Sequence, residues 1–331
     1  MAQSEFRPWL ETSSLKAVGD DVYETLYPPQ RMGNARDIAY GGFAIAVAVK
    51  AACLSVPSTP STYHLYSIVG TFLGPALTDR PLRARITTIR QTRTFATRQV
   101  QISQVQDDGT ERPCLVTLAD FQVREEKNLL TYSAKPSKQY THYSKLEGTK
   151  EQHQRLVKAG TINQKFVDGY AKSFGMMSTI HETRACPEGI FAQNLNGIAK
   201  HLPTTQDTLP LTSRSTADWF RAIDPLPSDS QAEHVANLAF FADAAIAFAP
   251  LSFNHMFLDE AAACSSLDFA LRLFTNDLDM NQWHLREITT SVGNAGRTYS
   301  EGRVWDEEGR CVASMTQQGI MRAANEKKGK L

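Results

Sequence analysis

At 331 residues and 42% hydrophobic content, the chain is long enough for two domains and can bury a sizeable core. Thirty-five lysines and arginines balance 35 aspartates and glutamates, so no net field selects nucleic acid or an anionic membrane as partner. Five cysteines, Cys53, Cys114, Cys186, Cys264 and Cys311, form no CxxC pair; this odd, unpatterned set suits small buried hydrophobes in a reducing compartment.

The opening MAQSEFRPWLETSS has no basic-then-apolar leader. The closing KKGKL resembles the SKL peroxisomal address but carries Gly329 in place of serine, so the cytoplasm is the expected location, with the peroxisome as the alternative. Residues 11–30 alternate weakly up to Pro28-Pro29 and predict one short strand. Gly41-Gly42 then leads into FAIAVAVKAACLSV, predicted as a first buried helix that stops before Pro57. YHLYSIVGTFL, RPLRARITTIRQ, TFATRQVQISQV and CLVTLADFQV follow as strands, with Asp107-Asp108-Gly109 as a turn.

The polar stretch from Glu125 to about Gln164, with its tyrosines expected at the surface, predicts a linker with some helix of its own. Residues 187–230 hold Pro203, Pro210, Pro225 and Pro227 and predict loops around one strand, ADWFRAI. A second apolar helix is predicted from His234 to Pro250, followed by the strands AACSSLDFALRLF, HLREITTSV, RTYSEGRVWD and CVASMTQQGIM. Arg93-Thr94-Phe95 and Arg297-Thr298-Tyr299 each open a strand that runs to an acidic-glycine turn, the second being Glu307-Glu308-Gly309. The last strand of each half carries alanine and then glutamine, Ala119 and Gln122 against Ala313 and Gln317. This repetition predicts a duplicated α+β unit with two sheets joined edge to edge, each wrapping a central helix.

No GxSxG, GxGxxG, Walker A or HExxH signature is present, and the eight histidines show no ligand spacing, so no metal site and no cofactor are expected. Asp243 is the informative charge: a carboxylate in a helix apolar on nearly every side is costly unless paired or used. It either pairs in the core, with an arginine such as Arg297, or serves chemistry. Gln317 falls on the apolar face of its strand by period-two alternation, while Gln318 points out. That amide either satisfies backbone groups at the sheet end or belongs to a site. Ser266, in CSSLD, is by itself an ordinary strand serine. Together the three could hold a water that Asp243, its pKa raised by burial, deprotonates for direct attack. A backbone N–H near a helix start could then stabilise the oxyanion.

WFRAIDPLPSD, LAFFAD, SLD, QWHLREITTS, GRTYSEGRVWDEEGRCVAS and QQGIMR, together with Tyr40-Gly41-Gly42, TFLGP, IRQTRTFATRQV and DFQ, resemble acyl-CoA thioesterase II segments in family order. The resemblance covers roughly residues 10–125 and 210–323 and implies a double hotdog fold. It also implies hydrolysis of acyl-CoA thioesters to free acid and CoA without metal or redox cofactor, by homo-oligomers without membrane insertion. The family's water-activating aspartate, serine or threonine, and glutamine match Asp243, Ser266 and Gln317. Phe269 and Phe274 stand where the family has histidines, Phe43 where it often has glutamine, and Gly74 where a basic residue is common. These replacements make the expected surroundings more apolar. The alternatives are a double hotdog enzyme releasing or rearranging a polyketide-like intermediate, and a non-catalytic acyl-binding protein. The expected division is an N-terminal hotdog (1–125), a linker (126–185), a C-terminal hotdog with the catalytic residues (186–325) and a polar tail (326–331).

Overall fold

The computed structural model describes residues 6–33, 36–58 and 62–324, so the carboxyl-terminal GKL and the 326–331 tail lie outside the described residues. The chain opens with α1 (Trp9–Thr12) and a hairpin, β1 (Leu15–Gly19) and β2 (Val22–Thr25), where the sequence predicts a single strand. Asp21 at φ 53° turns the chain within that stretch, so it folds back on itself. Helix α2 (Gly41–Leu54) follows, then β3 (Tyr63–Phe72), β4 (Arg83–Gln91), β5 (Phe95–Val105) and β6 (Glu111–Val123).

The stretch expected as a linker holds α3 (Thr149–Lys158), α4 (Gln164–Phe174), α5 (Met177–Ile180) and β7 (His181–Ala185). Its first part lies against the strands of the second half of the chain. Trp305 Nε1 donates to the Ala134 carbonyl at 2.8 Å, and Trp219 Nε1 to that of Thr141 at 3.0 Å. Tyr140 is buried rather than exposed, because its hydroxyl donates to Glu287 at 2.6 Å and its ring joins Trp219, Trp283 and Trp305.

After α6 (Ile190–Asn194) and β8 (Ser215–Ala222) comes α7 (Gln231–Ala242). The single helix expected from His234 to Pro250 ends eight residues early, and α8 (Ala249–Phe253) begins after an irregular turn. Pro250 has no N–H to continue the ladder and sits at the start of α8, where that loss costs nothing. Ala245 lies in the left-handed region, at φ 75°. Strands β9 (Ala261–Leu273), β10 (His284–Asn294), β11 (Arg297–Trp305) and β12 (Cys311–Ala323) complete the chain.

Among the described residues twelve strands form one antiparallel sheet in the order β1-β2-β4-β5-β6-β3-β9-β12-β11-β10-β8-β7. The order is mirrored about its centre: the strand after each helix lies innermost and the last strand of each half lies next to it. Ser67–Thr71 of β3 pair with Asp268–Arg272 of β9, which joins the halves edge to edge. The acidic-glycine turns close matching hairpins, with Gly109 at φ 82° and Gly309 at φ 74°, a region glycine enters without steric cost.

Helices α2 and α7 pack against each other inside the curved sheet. Phe43 and Phe240 meet edge to face at 5.1 Å, and the Tyr40 hydroxyl donates to the Phe240 carbonyl at 2.6 Å. Ten of the fourteen α2 residues are buried, which explains a helix without a polar face. Truncating a ring such as Phe43 to alanine would cost about 3–5 kcal/mol in such a core.

Candidate active site

The residue that closes α7, Asp243, is brought against α2 of the other half. It is 7% exposed and projects toward Gln317, itself 1% exposed on β12. Gln317 Nε2 donates to Asp243 Oδ1 at 2.6 Å, and Ser266 Oγ donates to Gln317 Oε1 at 3.0 Å. The three sequence-predicted site residues therefore form one chain of hydrogen bonds. The serine fixes the amide's orientation, because its hydroxyl satisfies the oxygen end.

Ser266 reaches this position through a β-bulge. Gln317 pairs with Phe269 and Gln318 with Asp268, but Gly319 pairs with Ser266, so Leu267 is the extra residue on β9. The bulge resets the alternation and brings Ser266 rather than Ser265 toward the amide. Strict period-two reading could not reveal this, and neither face of that strand reads as cleanly apolar.

Burial pushes the Asp243 carboxyl up to about 6, against the downward pull of the Gln317 amide, the Gly42 backbone N–H and the Tyr40 hydroxyl. Tyr40 is itself held well above its ordinary value, first by burial and then by the charge of Asp243. The carboxylate thus faces the amino end of the fourteen-residue helix α2, where unpaired N–H groups and the helix dipole favour negative charge. The two glycines there leave needed space. A Cβ at Gly41 would stand 3.0 Å from Asp243 Oδ2, and one at Gly42 would stand 2.4 Å from Tyr40 Cε1.

Arg297, the arginine considered as a core partner, is exposed at the start of β11. Sequence reasoning missed Arg286, an arginine in the buried first half of its strand. Its guanidinium pairs with Asp218 and donates to the Phe241 and Ala244 carbonyls. Sequence reading noticed Tyr40-Gly41-Gly42 as a helix entry but not as a wall of the site. Among the residues flagged as unusual, Phe43 and Phe269 are buried, Phe269 lying 6.0 Å from Phe72, whereas Phe274 is 57% exposed. Among the described residues no three histidines, cysteines or acidic groups are placed to hold a metal ion, and no helix is long and apolar enough to cross a membrane.

A raised-pKa carboxylate, held by an amide and a hydroxyl beside a helix amino end, has the parts of a general base for a bound water. Comparison with known proteins agrees in the kind of molecule. Residues 28–122 match the family model of the acyl-CoA thioesterase N-terminal domain, and residues 178–321 match that of the C-terminal domain. Acyl-CoA thioesterase 2 of Haemophilus influenzae is 24% identical over 302 residues, covering 88% of this chain and 91% of its own. The crystal structure of an acyl-CoA thioesterase II from Mycobacterium marinum superimposes with a TM-score of 0.65 at 20% identity, over 96% of this chain and 99% of that one. A hot dog fold protein from Alicyclobacillus acidocaldarius gives 0.64 at 15% identity, over 96% and 98%.

Proposed function

The chain belongs to the acyl-CoA thioesterase II family of double hotdog hydrolases, and from that premise we propose that it cleaves an acyl-CoA thioester with water activated by Asp243. The observation that carries the assignment is the Ser266–Gln317–Asp243 hydrogen-bond chain at the start of α2.

Raised by burial to about 6, the Asp243 pKa lies near the neutral range in which a general base works best. Gln317, the Gly42 N–H and the Tyr40 hydroxyl take three of the carboxylate's four lone-pair sites, which leaves one to take a proton from water. The Ser266 oxygen still has a lone pair to orient that water. Hydroxide oxygen bonds to the thioester carbonyl carbon, and the proton moves to Asp243. The amino end of α2 stabilises the oxyanion. Collapse breaks the C–S bond, and the Asp243 proton goes to the departing CoA sulfur, leaving free acid and thiol. No covalent acyl-enzyme forms.

The acyl chain is assigned to a cavity of about 210 Å³ walled by Leu211, Pro250, Leu251, Met256, Val292 and Met321. Thr298, which also lines it, pairs with Gly319, two residues beyond Gln317 on β12. Ala247, in the turn after Asp243, also approaches this strand, its Cα 3.9 Å from where a Gly319 Cβ would be. A cavity of about 150 Å³ holds one benzene, so this one suits a chain of roughly eight carbons.

The test is hydrolysis of acyl-CoAs of increasing length by the wild type and by Asp243→Asn. Loss of a general base should lower kcat at least about a hundredfold. An Asp243→Asn protein with undiminished turnover would remove Asp243 from the mechanism, and binding without turnover in the wild type would favour an acyl-binding role.

A further inference from the structure

Arg286 is 4% exposed, and four of the five N–H donors of its guanidinium have partners. Nε and Nη2 donate to the two Asp218 oxygens at 3.0 and 2.7 Å. Nη1 donates to the Phe241 carbonyl at 3.0 Å and the Ala244 carbonyl at 2.8 Å. The same group lies 4.1 Å over the Phe241 ring, which stacks on Phe220 at 3.8 Å. The two carbonyls belong to residues on either side of Asp243. The Phe241 carbonyl also accepts from the Ala244 N–H at 3.0 Å in the last turn, so the guanidinium adds a second donor there, and a cation at a helix end is favourable.

We propose that Arg286, held in place by Asp218, is a positioning residue that clamps the backbone on both sides of Asp243 and thereby sets the carboxylate against Gln317. The inference rests on the reading of Asp243 as the base. The 2.6 Å contact to Gln317 does not survive a shift of the helix end by about 1 Å, a displacement that can cost a hundredfold in rate. Lysine cannot reproduce the clamp, because a single ammonium cannot face a carboxylate and two carbonyls in one plane.

The helices of the 126–185 segment act on the same pair. His153 of α3 and Tyr170 of α4 meet at 4.6 Å and, with Thr183 and Asn196, line a cavity of about 40 Å³ bounded by Asp218. Burial and the Asp218 charge push Tyr170 up to about 12. The helices thus roof the Asp218–Arg286 pair, and a drier pair holds more firmly.

The test compares kcat, KM and pH profile for wild type, Arg286→Lys, Arg286→Ala and Asp218→Asn, with folding checked by circular dichroism and Asp243→Asn run beside them. Tyr40, the Arg286–Asp218 pair and His181, packed on Phe240 and Phe241, bear on the Asp243 end of α7, and burial lowers His181 to about 3. Tyr40 titrates far above the acid range, so the acid limb reports Asp243. Arg286→Lys should fold, keep its KM and lose about ten- to a hundredfold in kcat. Its acid limb should move upward as the Gln317 bond loosens, and added guanidinium should restore turnover to Arg286→Ala. Folded Arg286 variants with wild-type kcat and acid limb would overturn the clamp while leaving the base reading intact. If Arg286→Ala does not fold, the same two outcomes in Asp218→Asn decide. Full activity in Asp243→Asn would defeat the base reading itself, and the clamp with it.

Discussion

Gln317 Nε2 and Asp243 Oδ1 stand 2.6 Å apart although 74 residues separate them in the chain. One comes from the last strand of the second hotdog and the other from the end of its central helix. The amide donates, so it favours the charged carboxylate and opposes the effect of burial. Gln317→Leu should therefore lower kcat about a hundredfold and move the acid limb of the rate profile upward. Gln317→Glu should move that limb further, because two adjacent carboxylates do not ionise together. A Gln317→Leu enzyme with an unshifted limb would show that the amide does not tune Asp243.

The wild-type kcat should rise with pH through a midpoint near 6 as Asp243 loses its proton. Stability should run the opposite way. Burial raises the folded-state pKa above the ordinary 3.8, so the folded protein binds the proton more tightly than the unfolded chain. That contribution is fully present below pH 4 and is lost as pH rises through about 6. The shift corresponds to about 3 kcal/mol at order-of-magnitude precision. Asp243→Asn should accordingly raise Tm at pH 8, with the gain shrinking toward pH 4. Equal gains at both pH values would contradict a raised Asp243 pKa.

What the chain discloses by pattern and what it withholds follow from where the information lies. The duplicated strand order and the inward face of Gln317 are local, carried by alternation and by Arg-Thr-Phe against Arg-Thr-Tyr, and they are readable. The end of α7 is not local: the alanine-rich run after Asp243 favours helix, yet Ala245 turns left-handed at φ 75° and Arg286, some 40 residues on, donates to the Phe241 and Ala244 carbonyls. Ser266 needed a bulge that alternation cannot show. The helices at 149–174 were partly legible, since Phe166, Tyr170 and Phe174 recur at helical spacing, but their polar surroundings masked them.

Filling the acyl cavity from its rim tests where the chain lies. Val292 is 55% exposed yet lines the cavity, so Val292→Trp adds bulk at its mouth without disturbing the buried core. Relative to wild type, kcat/KM for an eight-carbon acyl-CoA should fall about tenfold or more, while that for a two- to four-carbon substrate should stay the same. A uniform loss at every chain length would place the acyl chain elsewhere.

The two hotdogs are also joined through charge inside the core. Lys50, the charged residue of α2, pairs with Glu233 in the first turn of α7, and both side chains are nearly buried. Glu233 also accepts from Trp9 Nε1 at 3.2 Å and Ser13 Oγ at 3.1 Å, which ties α1 and the residue after it to both central helices. Removing one partner strands the other charge, so Lys50→Met should destabilise the protein by about 3–5 kcal/mol in denaturant unfolding. Replacing both, as Lys50→Met with Glu233→Leu, removes the stranded charge and should recover most of that loss, leaving unmade the hydrogen bonds from Trp9 and Ser13 to Glu233 and from Lys50 to Ser13. If the double variant were as unstable as the single one, the pair's role would be in hydrogen bonding to the amino-terminal segment rather than in balancing charge between the two helices.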